Sequence, residues 1–268
     1  MVYIQRLSFI FLILISLPSH AALSEQETVN SVTVRPGITQ AFLINHVKNP
    51  DAVAVLFAGY GGYLKITADG IQQPSKNFLV RTRQLFTANN IMTVVVDTPS
   101  DYAGVDGILG WRASATHASD LQIIIQYLRQ TYQRPVWLVG TSRGTISAAN
   151  AASRLSPMLI DGLVLTATVV EPGGRNSGYV GDVALEKITQ PVLIVHHEED
   201  DCVVCDFYSA KRLPGELTGA KKVGFKSFTG GSPAQSGSCG PLSEHGFFGL
   251  EDKVIAYISQ WIKDNTTN

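Results

Sequence analysis

Five short stretches of this 268-residue chain are almost wholly apolar: Ala52–Phe57 (AVAVLF), Ile91–Val96, Val136–Val139, Leu163–Thr166 and Val192–Val195. A strand with one face in water alternates apolar and polar side chains. An uninterrupted apolar run reads instead as a strand covered on both faces. Between these runs the spacing becomes helical. In Ala115–Tyr132 the residues Ala118, Leu121, Ile124, Ile125, Leu128 and Tyr132 share one face, and Leu250–Ile262 aligns Val254, Ile258 and Trp261. Lys76–Ala88, which follows Pro74 and Ser75, carries Phe78, Leu85 and Phe86. Buried strands alternating with amphipathic helices imply an α/β architecture with a mostly parallel sheet covered on both sides. Val223–Phe228 adds a weaker last strand, and Val32–Val34 with Ala41–Ile44 form a leading pair around Pro36 and Gly37, giving about eight strands in all. The polar stretch Leu23–Asn30 reads as loose.

The first residues read as separate from this pattern. Arg6 supplies a positive start, Leu7–Leu17 is an apolar run, and Ser19 and Ala21 stand three residues and one residue before a cleavage point after Ala21. Residues 1–21 therefore read as a secretory signal peptide, too short to span a bilayer comfortably. No later run is long and apolar enough to cross a membrane. Residues 22–268 then read as a single exported domain, periplasmic or secreted, with no linker, repeat or low-complexity tract. Its 45% hydrophobic content suits one sizeable core, and a net charge of −1 offers no bulk basic field to favour nucleic acid. Composition is silent on oligomeric state. Export implies an oxidising compartment. With Cys202, Cys205 and Cys239 present, the simplest count is one disulfide and one remaining thiol. Cys202 and Cys205 match C-x-x-C, but no thioredoxin-sized unit surrounds them. A zinc site would need further ligands at suitable spacing, so no metal is expected.

Where the Val136–Val139 strand ends, the chain reads Gly140-Thr141-Ser142-Arg143-Gly144 and turns into a helix rich in small residues (Ala148, Ala149, Ala151, Ala152). G-x-S-x-G between a strand and a helix is the arrangement of a nucleophile elbow. Strand and helix converge there, so the flanking positions must lack bulk, and the serine occupies a strained turn. The turn exposes the Ser142 hydroxyl at the C-terminal edge of the sheet. It also leaves the Arg143 N–H at the start of a helix, where developing negative charge is favoured.

A hydroxyl attacks poorly until a base removes its proton, and a histidine base needs an acid to fix its tautomer. On such a scaffold the chain order is serine, acid, histidine. Downstream of Ser142 only His196, His197 and His245 occur. His196 and His197 end a buried strand, and a role in shaping the loop that follows is the default. That loop carries Glu199, Asp200 and Asp201, and His245 lies in SEHGFFGLE just before the last helix. Asp200 as acid and His245 as base fit the order, with Asp201 or Glu199 as substitutes for the acid. A second oxyanion donor is expected from the loop after an earlier strand. Gly59-Tyr60-Gly61-Gly62 follows Phe57, and the Tyr60 N–H is favoured with Gly61 next. Asp97, Ser100 and Asp101 fall on the same sheet edge, where turn and capping duties are the default reading. Arg112 and His117 flank a helix start and suggest an ion pair or cap.

With these residues in place the mature chain resembles the α/β-hydrolase fold family along nearly its whole length. The resemblance runs from AVAVLFAGYGG through GTSRG and VHHEEDDC to EHGFFGLE. It is strongest to a group of exported, mostly uncharacterised bacterial α/β-hydrolases, which share VDTPSD, a WRASATHASD-type helix start, H-H-x-x-D-x-C and a cysteine shortly before H-G-F. The resemblance implies that Ser142, Asp200 and His245 form a catalytic triad and that Cys202 pairs with Cys239. Such a bridge would pin the acid loop to the base loop. Cys205 departs from that pattern, as a rival partner for Cys239 or a buried thiol.

These features lead to the expectation of a serine hydrolase that cleaves an ester or related acyl bond through an acyl-enzyme, without a cofactor. Between Thr166 and Gln190 there is no room for a large lid domain, which points to small soluble acyl esters. Two other readings stand beside it: a serine peptidase on the same fold, and a catalytically silent binding protein.

Overall fold

The computed structural model describes residues 26–73, 75–174 and 177–266; the expected signal peptide lies outside them. The main sheet has eight strands in the order β1-β2-β6-β3-β7-β8-β9-β10. The strands are β1 (Glu27–Arg35), β2 (Ile38–Asn45), β3 (Ala52–Phe57), β6 (Ile91–Pro99), β7 (Val136–Thr141), β8 (Gly162–Thr166), β9 (Val192–His197) and β10 (Val223–Phe228). Strands β4 (Ile66–Thr67) and β5 (Gly70–Ile71) form a separate small hairpin. β1 and β2 run antiparallel to their neighbours, and β6 through β10 are mutually parallel.

The uninterrupted apolar runs have a direct cause. In β3, Val53, Val55 and Phe57 face one core while Ala52, Ala54 and Leu56 face the other. The first core is closed by α3 (Ala115–Tyr132) and α4 (Gly144–Arg154). The second is closed by α1 (Phe78–Arg81), α2 (Arg83–Ala88) and α6 (Glu251–Asn265). Both faces of every central strand are therefore dry, and alternation disappears. A sixth helix, α5 (Phe207–Arg212), follows β9.

Two local expectations need correction. Glu27–Asn30, read as loose, is the first half of β1, paired with β2 from Glu27 opposite Asn45. It is an edge strand with one neighbour, so its outward positions tolerate polar residues and its composition resembles a loop. Lys76–Ala88 is not one helix. It breaks at Thr82, whose hydroxyl donates to Phe78 O at 2.7 Å. Such back-bonding by threonine bends or ends a helical run.

Parallel pairing places the C-terminal ends of β3, β7, β8 and β9 side by side. The loops that leave those ends carry Gly59, Tyr60, Ser142 and Asp200. Chains that diverge from adjacent parallel strands leave a crevice at this edge.

Candidate active site

Ser142 sits between β7 and α4 with φ 52°, in the left-handed region. That conformation is costly for a residue with a Cβ and marks a constrained functional turn when the surroundings enforce it. Here they do: the Ser142 N–H donates to Thr166 O (3.0 Å), and its carbonyl accepts from the Thr145 N–H (3.0 Å) and hydroxyl (2.6 Å). The two flanking glycines are steric necessities. A Cβ on Gly140 would lie 2.5 Å from Gly144 O, and one on Gly144 would collide with Phe57 O.

Asp200 and His245, far apart in sequence, meet. His245 Nδ1–H donates to Asp200 Oδ2 at 2.9 Å, and the carboxylate is closed to solvent. Asp200 Oδ1 accepts from the Cys202 N–H at 3.0 Å, which fixes the carboxylate plane. A proton held on Nδ1 leaves Nε2 as the free acceptor. The imidazole rides on the turn Glu244–Gly246, and Gly246 O accepts from Arg81 Nη2 (2.7 Å). Arg81 also pairs with Glu251 (2.8 Å), so the base loop is tied to α1 and α6.

Ser142 and His245 line one cavity of about 250 Å³, together with Gly59, Tyr60, Asn77 and Cys239. Tyr60, 55% exposed, stands at its lip in a left-handed conformation. Gly61 falls outside the lining, because its carbonyl accepts from the Ile108 N–H (2.9 Å) and its backbone packs against Asp106. The N–H of Arg143 has no partner among the described residues. Its side chain turns away to donate to Ser177 O at 3.2 Å.

The other singled-out residues support the frame. His197 accepts from the Glu199 N–H (3.1 Å) and donates to Gly230 O (2.8 Å), bracing the acid loop. His196 Nε2 accepts from the Thr168 N–H (2.7 Å). Asp97 accepts from the N–H groups of Leu64, Ile66 and Thr98 (2.6–2.8 Å), holding the loop after β3. Burial raises its pKa against those three bonds. Asp101 pairs with Arg35 (2.8 Å) away from the cavity. Arg112 makes no ion pair among the described residues, so the ion-pair half of its expected role falls away. It is buried and donates to backbone carbonyls and a hydroxyl.

Asn77 escaped the sequence reading, Gly59 enters it only as part of its loop, and Cys205 proves to be the buried thiol of its two alternatives. Gly59 lies against the serine, since a Cβ built on it would lie 3.1 Å from Ser142 Cβ. Asn77 caps α1 through its Oδ1 (3.2 Å to the Leu79 N–H) and turns its amide nitrogen toward Gly59. Cys205 is buried against Ser142, and burial with the nearby Asp200 carboxylate pushes its pKa well up, so it stays a thiol. Its sulfur, the Cys202 sulfur and a ring nitrogen of His245 lie within 4.8 Å of one another. That trio would suit a thiophilic metal, but Cys202 is consumed by the disulfide and has no thiolate to offer.

The disulfide joins Cys202 to Cys239, 37 residues on. Replacing both cysteines by alanine is expected to lower stability by about 3–4 kcal/mol on the chain-entropy account. Urea unfolding of the two forms checks it, and equal midpoints would contradict it.

Two buried histidines set an acid limit. Burial lowers His117 to about 3 and His196 to about 4. Below the ordinary imidazole value of about 6.5 the unfolded chain takes up protons that the native state refuses. Stability is therefore full above that value and falls as pH drops toward the folded values, by up to about 1.4 kcal/mol per pH unit for each ring. Denaturant melts at about pH 7 and about pH 5 test this, and a flat profile would contradict it.

No family model matches the chain, and no curated protein sequence is similar to it. Solved structures do match. A soluble variant of monoglyceride lipase from Saccharomyces cerevisiae, in complex with a substrate analogue, superposes with TM-score 0.65 at 13% identity, over 94% of this chain and 100% of that one. Est1E from Butyrivibrio proteoclasticus, with ferulic acid bound, gives 0.63 at 13% identity over 88% and 98%. Dienelactone hydrolase from Anabaena variabilis gives 0.61 at 14% identity over 91% and 100%. The chain has the α/β-hydrolase fold. At these identities the likeness speaks for the α/β-hydrolase scaffold alone, and the chemistry must be argued from the site itself.

Proposed function

We propose that the protein is a serine hydrolase that cleaves esters of short acyl groups through an acyl-enzyme. The observation that carries this reading is the buried Asp200–His245 pair, closed at 2.9 Å, on the cavity that Ser142 lines. His245 Nε2 takes the Ser142 proton as the hydroxyl attacks the carbonyl. Asp200 orients the ring and stabilises its charged form. The N–H groups of Arg143 and Tyr60 hold the oxyanion, the first at the start of α4 and the second on the loop after β3. Proton return from His245 releases the alcohol, and water activated by the same ring then frees the acid.

The cavity supports the substrate class. At about 250 Å³ it is smaller than pockets that enclose drug-sized ligands, which run from about 300 Å³ upward. Among the described residues Lys76 is the only lining side chain with a fixed charge and the rest of the lining is neutral, which suits a small neutral ester. The neighbouring structures include esterases and a monoglyceride lipase, which is in keeping with ester chemistry. Export is part of the same reading. It is supported by the disulfide.

A fluorophosphonate probe tests the reading. Wild type is expected to label and Ser142→Ala is not. A panel of nitrophenyl esters of rising acyl length, run beside aminoacyl anilides, is expected to show turnover of the shortest esters only. An unlabelled wild type would leave a binding role. Preference for the anilides would make the protein a peptidase.

A further inference from the structure

Arg112 is the largest charged side chain in the interior, 2% exposed, and no carboxylate pairs with it among the described residues. A buried cation without a counter-charge is strongly unfavourable. Burial drives its pKa down to about 9, and the nearby Arg143 charge pushes the same way. What the guanidinium holds is specific. Nη1 donates to Ser147 Oγ (2.7 Å), and Nη2 donates to Ala58 O (2.9 Å) and Tyr60 O (2.8 Å). The Arg112 backbone is itself fastened, with its carbonyl accepting from Asn150 Nδ2 at 3.0 Å.

Those two carbonyls belong to the loop beside Ser142. The carbonyl between them, Gly59 O, accepts from the Gly62 N–H (3.1 Å). Three successive carbonyls are therefore occupied, and no cis peptide occurs among the described residues, so the N–H of each following residue points opposite the carbonyl of the same peptide. The N–H groups of Gly59, Tyr60 and Gly61 have no partner among the described residues. Consecutive free N–H groups around a left-handed residue, here Tyr60 at φ 50°, make a concavity that binds anions. Gly62 keeps space for the clamp, because a Cβ there would stand 2.7 Å from Arg112 Nη2.

We infer that Arg112 is a positioning residue of the oxyanion site: its guanidinium clamps the carbonyls of Ala58 and Tyr60, on either side of the peptide that carries the Tyr60 N–H, turns that amide toward Ser142, and sets a desolvated positive charge behind it. This rests on the serine-hydrolase reading. The charge is worth most when the substrate oxygen becomes negative, so it acts on the transition state more than on the bound ester. Sequence alone hides the role, because Arg112 lies far along the chain from the loop it holds.

The test compares Arg112→Met, Arg112→Lys and Ser147→Ala with wild type, counting active sites by fluorophosphonate titration. Per titrated site, Arg112→Met is expected to lose about 100-fold in kcat, the scale of one lost oxyanion donor, with KM little changed. Affinity for a trifluoromethyl ketone, which mimics the tetrahedral adduct, is expected to fall in proportion. Arg112→Lys keeps the charge and is expected to recover part of both. Ser147→Ala removes the anchor, together with the bond to His117 Nε2 (2.9 Å), and is expected to show the same kcat-specific loss, smaller in size; it serves if the methionine variant does not fold. Wild-type kcat per site and wild-type ketone affinity in the lysine and Ser147 variants would overturn the role while leaving the hydrolase reading standing. A wild type that does not label would remove both together.

Discussion

Ser142→Ala is expected to lower kcat on a short-chain ester by about 10⁶-fold while leaving the fold in place. The size follows from the chemistry: without the hydroxyl there is no acyl-enzyme, and the Asp200–His245 pair has nothing to deprotonate except water. The residual rate, about 10³-fold or more above solution, would come from the cavity and the oxyanion donors alone. The fold is insulated from the change. The bonds that hold this turn run through the Ser142 backbone, to Thr166 O and from Thr145, and alanine keeps them. Its φ of 52° is as strained for alanine as for serine. Thermal midpoints measured beside kcat separate the two effects. A variant that keeps a tenth or more of wild-type kcat would remove Ser142 from the chemistry.

Asp200→Asn is expected to cost about 10⁴-fold in kcat, and the reason is a tautomer. The aspartate accepts a hydrogen bond from His245 Nδ1–H at 2.9 Å, which leaves Nε2 free to take the proton of Ser142. Asparagine fits the same space and keeps Oδ1 available to the Cys202 N–H (3.0 Å). Its amide nitrogen, however, donates toward Nδ1 and drives the imidazole proton onto Nε2. The base is then protonated where it must accept. The loss is expected in kcat and in the rate of fluorophosphonate labelling, with unfolding midpoints close to wild type. A variant that labels as fast as wild type would break the link between this carboxylate and the serine. The companion changes Asp201→Asn and Glu199→Gln are expected to be near neutral, since neither carboxylate contacts His245.

What the sequence reveals and what it hides divides along a physical line. The central strands are legible because each is dry on both faces, which writes an unbroken apolar run into local sequence. The serine turn is legible because its crowding forces Gly140 and Gly144, where side chains would strike Gly144 O and Phe57 O. Asp200 and His245 can be paired on paper through chain order and the sheet edge on which their loops emerge. The rest depends on contacts that no local pattern carries. Glu27–Asn30 is strand only because β2 lies alongside. Arg112 looks like a helix-start residue until residues 58–60 come to rest on it. Cys205 faces the serine because the loop after β9 folds against the segment after β8, where Val204 O accepts from the Val170 and Glu171 N–H groups. Asn77 is a common cap residue, and only tertiary placement puts its amide at the cavity.

The Cys202–Cys239 bridge has a consequence for when the protein works. Both ends lie in loops beyond the sheet, one beside the acid and one six residues before the base, and Cys239 is exposed. No strand passes through it, although Cys202 itself packs at the margin of the first core. Reduction would therefore slacken the alignment of Asp200 and His245 before it disturbed the body of the molecule. On the proposed reading of an exported serine hydrolase, a newly made chain in a thiol-rich cytosol would be folded but idle, and an oxidant met after export would switch it on. The cell that makes it would thus be spared that activity among its own metabolites.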